Sequence, residues 1–260
     1  MNKSIMRKAI HKFYKLLQFL VLGLERPRQF FSIMGMMAGN RAHLNELLRL
    51  HNAGWLRQSG INTVIDVGAY TGSFSFAVRS ILPEAQIYAF EPLPDNFALL
   101  HHKFRRDGNF KAFNIAVGSQ SGKTTFYSNE FAASSSVLPM SREHQVAFPH
   151  TSQVTEISVP VKRLDDLKTQ MGLRSKVLMK IDVQGYDFEV LKGARELLPQ
   201  VDYVIVEIGV QLLYEQQASF EDIYAFMQSV GFVYAGDFDQ LVSPKDGKVL
   251  QIDALFMRPE

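Results

Sequence analysis

Residues 64–72 read VIDVGAYTG, and a second apolar run, IYAFEP at 87–92, closes on Glu91, twenty-five positions after Asp66. The first stretch has the form of a buried strand, Val64 to Val67, running into a turn where Gly68 and Gly72 let the backbone approach a ligand closely. A helix is expected from about Ser73 to Ile81. The following strand then delivers the Glu91 carboxylate, which suits the hydroxyls of a ribose. A glycine-rich turn alone is explained by tight packing. Joined to an acid at this distance, it points to a nucleoside-bearing cofactor.

The turn itself selects among such cofactors. A dinucleotide fingerprint is G-x-G-x-x-G, whose middle glycine makes room for a pyrophosphate at a helix N-terminus. Here the run is Gly68, Ala69, Tyr70, Thr71, Gly72, and the middle glycine is missing. Asp66, just before the turn, would oppose a pyrophosphate electrostatically. The same carboxylate suits a ligand carrying an ammonium and a sulfonium, which S-adenosylmethionine does and NAD does not.

Five stretches in fixed order extend this reading: VIDVGAYTGSFS (64–75), FEPLPDNFALL (90–100), FNIAVGSQSGKTTFY (113–127), VKRLDDL with LMKIDVQGYDFEVLKGA (161–167 and 178–194), and VIVEIGVQLLY (204–214) leading to Gly231-Phe232. With them the chain resembles the FkbM-type methyltransferases, a branch of the class I S-adenosylmethionine-dependent enzymes. The fourth stretch, with K-I-D-V-Q-G and L-K-G-A, is specific to that branch. The sequence departs from the family pattern at Tyr70, where Asn is usual, and at Asp187, where Glu is usual. The resemblance, which runs from about Thr63 to Gly236, implies a Rossmann-like α/β fold: a mainly parallel seven-stranded sheet with helices on both faces; the residues before it read as an N-terminal helical extension. It also implies that Asp66, Gly68, Ala69, Tyr70, Thr71 and Gly72 form the methionine-side loop. Glu91 with Pro92 would meet the ribose, and Asn114 with Ala116 would border the adenine.

Alternation beyond residue 60 is α/β throughout. Strands are expected near 63–67, 86–91, 110–115, 177–182, 202–208, 231–236 and 250–257, and helices near 73–81, 94–106, 187–198 and 219–230. Right-handed crossovers put ligands at the C-terminal ends of parallel strands. Asp66, Glu91, Asn114, Asp182 and Glu207 all fall on that rim. Between Gly118 and Arg163 the chain reads as an insertion with short strands near 124–127 and 156–161, bracketing Ser134–Ser136 and a loop with His144 and His150. A loop of this length is usually functional, and the resemblance implies that it covers the cofactor and shapes the acceptor pocket.

Methyl transfer requires alignment of a nucleophile with an activated carbon, and a hydroxyl acceptor requires a base for its proton. Asp182 is the candidate nearest the methyl group, either to orient the methionine end of the cofactor or to accept the acceptor's proton, with Glu207 and His144 as further candidates for the base. Lys180, read as facing away from Asp182, is assigned as the structural partner of an acid on a neighbouring element. Asp182 and Glu207 are also residue types that hold Mg²⁺, but paired carboxylates on strand ends are too common to assign a metal site, and none is assigned. Enzymes that methylate nucleobase amines carry Asn/Asp-Pro-Pro-aromatic after the fourth strand. This chain has Asp182-Val183-Gln184-Gly185, which argues against a nucleic-acid substrate. The likeness points instead to O-methylation of a carbohydrate, glycolipid or related natural-product hydroxyl. Two rivals share the cofactor geometry: a non-catalytic scaffold of the same fold and a nicotinamide-dependent oxidoreductase.

Composition bounds the rest. The 260 residues are 47% hydrophobic, enough for one α/β domain, placed at 59–260, with an N-terminal extension at 1–58. There is no cysteine, which excludes disulfides, thiolate metal sites and a cysteine nucleophile. Residues 1–28 hold seven Lys/Arg and one Glu, net +6, whereas residues 29–260 hold 21 Lys/Arg and 25 Asp/Glu, net −4. The body thus carries no electrostatic footprint for nucleic acid. Met6, Ile10, Phe13, Leu17, Leu20 and Leu24 recur at helical spacing among basic residues, predicting a basic amphipathic helix over about 5–25. It suits packing on its own domain, a homodimer contact, or peripheral contact with an anionic membrane surface; its apolar run is too short to span a bilayer. A second amphipathic helix is expected over 41–50. The expected location is the cytoplasm, including the inner face of its membrane.

Overall fold

The computed structural model describes residues 41–129, 135–141, 154–243 and 245–259. The predicted helix over 5–25, the Met-rich stretch after it, His144 and His150 lie outside these residues. In chain order the described elements are α1 (Arg41–Asn52), α2 (Gly54–Gln58), β1 (Thr63–Val67), α3 (Ser73–Ile81), β2 (Gln86–Phe90), α4 (Pro94–Phe104), β3 (Phe110–Phe113), β4 (Ala116–Val117), β5 (Gly122–Asn129), β6 (Val154–Lys162), α5 (Leu164–Leu167), β7 (Val177–Ile181), α6 (Asp187–Gly193), β8 (Tyr203–Gly209), α7 (Phe220–Ser229), β9 (Val233–Val242) and β10 (Val249–Met257).

The chain divides into two compact units. Among the described residues, one takes Arg41–Ser59 together with Ser73–Pro83, and the other takes Gly60–Gly72 with the residues from Glu84 on. In the first, Leu47, Leu48 and Leu50 of α1 are buried, as the apolar spacing of 41–50 predicts, and α1 packs against α3.

The second unit is an α/β fold built on a seven-stranded sheet in the order β3-β2-β1-β7-β8-β10-β9. Neighbours from β3 to β8 pair in parallel, and β10 alone runs against its neighbours β8 and β9. Every residue of the central strands β1 and β7 is buried, which is why both read as continuous apolar runs rather than alternating ones. Ile65, Val67, Tyr88, Phe90, Met179, Ile181, Val204 and Val206 line one face of the sheet. They form a single core with Leu164 and Leu167 of α5, Val190 and Leu191 of α6, and Ile223 and Met227 of α7. Helix α7 is fixed at its start by a capping box, Ser219 accepting from the Asp222 N–H and Asp222 accepting from the Ser219 N–H.

Because side chains alternate along a strand, Asp66, Lys180, Glu207 and Asp253 stand on the face opposite that core. Asp66 lies beside Lys180 and Asp253 beside Glu207 in the strand register. The order reverses between β1 and β7, and at such a switch point the loops leaving two adjacent strands diverge and open a crevice.

Strands β4, β5 and β6 form a separate three-stranded sheet, β4-β6-β5, over a small cluster of Leu93, Ala116, Phe126, Val159 and Val161. Its strands run longer than expected, and the two-residue β4 was not anticipated. The strand expected over 110–115 stops at Phe113 because the chain then crosses to this second sheet. The helix expected over 187–198 ends at Gly193, where a Cβ would lie 2.0 Å from the carbonyl oxygen of Gly118. The strand expected over 231–236 instead runs as β9 to Val242 along the sheet edge.

Candidate active site

The turn after β1 and the end of β2 are tied together by main-chain bonds. The N–H groups of Gly68 and Ala69 both donate to the Phe90 carbonyl, at 3.1 and 3.0 Å. Three turn residues have left-handed backbone: Gly68 (φ 80°), Tyr70 (φ 51°) and Gly72 (φ 82°). Gly68 is required twice, since a Cβ there would sit 1.9 Å from the Asp182 carbonyl oxygen. The turn is thereby pressed against the exit of β7, where the Asp182 N–H donates to the Val67 carbonyl. Thr71 contributes its carbonyl, which accepts from the Lys103 ammonium.

Glu91 is buried at the centre of this arrangement. Its Oε2 accepts from the Tyr70 N–H at 2.9 Å, and its Oε1 accepts from the Leu93 N–H at 2.9 Å and from the Asn96 amide at 3.4 Å. A carboxylate has about four lone-pair directions, so at least one remains for a ribose hydroxyl. Burial pushes its pKa up to about 7, with Asp66 adding repulsion, against the lowering effect of the three hydrogen bonds. The buried Glu91 acceptor fits the ribose of the cofactor expected from the sequence, and the cramped, left-handed turn fits its methionine side.

The Asn114 amide donates to the carbonyls of Glu91 and Pro92, at 2.9 and 3.0 Å, and so pins the corner leaving β2. Ala116 sits in the small sheet beside Leu93. Both residues therefore border the Glu91 corner, one as a clamp and the other as packing.

Asp182 and Glu207 come together as a pair. Lys180 Nζ contacts Asp182 Oδ2 at 2.9 Å, correcting the expectation that Lys180 faces away: residues two apart on a strand share a face. Burial alone would lower the Lys180 pKa, but the carboxylates of Asp182, Asp66 and Asp253 outweigh it and hold the ammonium firmly charged. Asp66 thus shares its charge with Lys180 rather than presenting it to a ligand alone. The Gln184 amide nitrogen lies 2.8 Å from Asp182 Oδ1, and 3.1 and 3.3 Å from the two oxygens of Glu207. Burial pushes the Glu207 pKa well above the usual range; Asp182, Asp187 and Asp253 raise it further, and Lys180 opposes them.

Sequence reasoning did not find Gln184 or Tyr214, whose hydroxyl donates to Gln184 Oε1 at 2.8 Å. The same holds for Ser136, whose hydroxyl donates to the Gln184 carbonyl at 2.6 Å and brings the insertion against the β7 turn. Asp187 closes that turn, accepting from the N–H groups of Val183 and Gly185.

A family model described as the methyltransferase FkbM domain matches residues 66–234. The chain belongs to the FkbM methyltransferase family. As a member it is an enzyme whose methyl donor is S-adenosylmethionine. Among its relatives, 2-O-methyltransferase NoeI of Sinorhizobium fredii is 27% identical over 176 residues, 65% of this chain and 72% of that one. Hexuronic acid methyltransferase AglP of Haloferax volcanii is 31% identical over 146 residues, 55% of this chain and 54% of that one. The 31-O-demethyl-FK506 methyltransferase FkbM of Streptomyces tacrolimicus is 24% identical, over 69% of this chain and 76% of that one. All five motif stretches read from the sequence lie in or overlap the matched region.

Proposed function

We propose that this FkbM-family enzyme methylates a hydroxyl group of a carbohydrate, glycolipid or related natural product. The observation that carries this reading is the carboxylate pair, Asp182 and Glu207, standing beside the Gly68 turn at the ends of β7 and β8. A hydroxyl must lose its proton as its oxygen is methylated, and a partly desolvated carboxylate with raised proton affinity is suited to receive it. The names of NoeI and AglP, a 2-O-methyltransferase and a hexuronic acid methyltransferase, support the same acceptor class.

When bound, S-adenosylmethionine supplies an electrophilic methyl carbon on a sulfonium. Glu91 accepts a ribose hydroxyl, and the 68–72 turn encloses the methionine side. Asp182 contributes negative charge fixed by Lys180, and Glu207 takes the acceptor's proton. His144 keeps the role assigned from the sequence, a second candidate base in the insertion.

The basic segment 1–28 supports peripheral contact with an anionic membrane, or a second subunit, at a site where lipid-linked sugars are handled. Among the described residues no helix is long and apolar enough to cross a membrane.

The test is calorimetry with S-adenosylhomocysteine on wild type and Glu91→Ala, followed by transfer of labelled methyl groups into fractionated lysate. Binding lost in the variant, with label entering glycan, glycolipid or hydroxylated small molecules, is the expected result. Label confined to protein or nucleic acid would refute it. Liposome co-sedimentation unchanged on removal of residues 1–28 would refute the membrane contact.

A further inference from the structure

We infer that Gln184, oriented by Tyr214, is a positioning residue that yokes Asp182 to Glu207 and leaves Glu207 as the acid that receives the acceptor's proton. The inference rests on the methyl-transfer reading above and deepens it.

The geometry fixes the amide. Carboxylates only accept hydrogen bonds, so the Gln184 NH₂ must face Asp182 and Glu207, and its Oε1 must face a donor. Tyr214 is that donor. Burial first, then the charges of Glu207, Asp182 and Asp187, push its pKa well above the ordinary tyrosine value, so the hydroxyl keeps its proton. One N–H then goes to each acid, at 2.8 Å to Asp182 and 3.1 Å to the nearer oxygen of Glu207.

The two acids are left unequal. Asp182 has both oxygens engaged, one by Lys180 and one by Gln184. Glu207 shares a single longer N–H between its two oxygens and is repelled by the carboxylates of Asp182, Asp187 and Asp253. The charged and titratable groups acting on it, among the described residues, are Lys180 from β7, Asp182 just after that strand, Asp187 from α6, Asp253 from β10, and Tyr214. A proton arriving between the pair goes to the less compensated oxygen.

The backbone is held for this purpose. Gln184 occupies left-handed space (φ 56°), costly for a residue with a Cβ. Ser136 holds its carbonyl. The next residue, Gly185, lies so close to the Tyr214 ring that a Cβ would come within 2.8 Å. The ring therefore supports the turn while its hydroxyl orients the amide.

The experiment compares S-adenosylmethionine with S-adenosylhomocysteine by calorimetry, counting protons released on binding from buffers of different ionisation heat between about pH 5.5 and 8.5. Both ligands carry the same ribose, so protons from Glu91 cancel in the difference. The sulfonium remains: it makes the donor's own α-ammonium more acidic, a contribution measured by titrating the free ligands and subtracted, and its charge favours ionised Glu207. Wild type is expected to release more protons with the sulfonium ligand. Tyr214→Phe, which keeps the ring under Gly185, should move the midpoint of that difference up by about half a pH unit or more. A hydrogen bond to a charged group contributes about 1 kcal/mol or more, and one pH unit is about 1.4 kcal/mol. Gln184→Met should move it at least as far, with affinity for S-adenosylhomocysteine changed less than about twofold in both.

An unmoved midpoint in either variant that still binds S-adenosylhomocysteine would show that Gln184 only packs. Equal proton release by the two ligands in wild type would also overturn the proposal. Failure of wild type to bind either ligand would instead overturn the methyltransferase reading beneath it.

Discussion

The backbone N–H of Tyr70 and the Oε2 of Glu91 lie 2.9 Å apart, so the turn leaving β1 is hydrogen-bonded to the acid that ends β2. Glu91, proposed above to meet the ribose, is therefore also part of the frame that shapes the turn. Glu91→Gln keeps the volume but points an N–H at main-chain donors. S-adenosylhomocysteine affinity should fall at least about tenfold, a loss of one or more charge-assisted hydrogen bonds. Calorimetry at pH 8 checks this, and affinity within about twofold of wild type would contradict it.

The raised pKa of Glu91, about 7 against 4.5, gives its contribution to stability a definite sign. The unfolded carboxylate ionises first as pH rises, so stability falls between pH 4.5 and about 7 and is flat above. The full span is about 3 kcal/mol, an order-of-magnitude figure for a buried group. Urea denaturation at pH 5 and 8 should show this slope in wild type and its loss in Glu91→Gln.

On the proposed ribose contact, the hydroxyls donate to the ionised acid, so cofactor binding should release a proton below about pH 7. S-adenosylhomocysteine affinity should then strengthen with pH from about 5.5 to 7 and level off. A flat affinity profile across that range would separate Glu91 from the ribose.

Gly68→Ala and Gly236→Ala form a matched pair. Both positions have left-handed backbone, φ 80° and 120°, but only at Gly68 would the Cβ strike main chain, 1.9 Å from the Asp182 carbonyl oxygen. Gly236→Ala should cost about 1–2 kcal/mol from strain. Gly68→Ala should cost at least about 3 kcal/mol more, since two hydrogen-bonded strand exits would have to separate. Denaturant midpoints with unchanged m-values would measure the difference.

Lys180→Met replaces the buried ammonium beside Asp182 with a chain of similar length. Uncompensated charge from Asp182, Asp66 and Asp253 should destabilise the protein by about 3–5 kcal/mol at pH 8. Protonation of those acids relieves the loss, so the deficit should shrink at pH 5. A deficit larger at pH 5 than at pH 8 would rule this account out.

The central strands were legible because burial on both faces leaves an uninterrupted apolar run, ending in each case at or beside an acid: Asp66, Glu91, Asp182. Strands β5 and β6 were read short, because one exposed face fills them with Lys, Thr, Ser and Glu that weaken the period. Helix α6 was read long because leucines continue past Gly193, where only the packing against Gly118 stops it. The Lys180–Asp182 pair was within reach of local reasoning, since positions i and i+2 on a strand share a face.

Sequence alone determined the α/β alternation, the glycine turn, and the acid that follows it, because each depends on neighbours within about thirty residues. The tertiary structure decided which groups meet Asp182. Gln184 reaches Glu207 only through the β7–β8 register, and Tyr214 reaches Gln184 only because Gly185 leaves room for its ring. Such meetings are set by register and side-chain fit between separate elements, and no local pattern of residues encodes them.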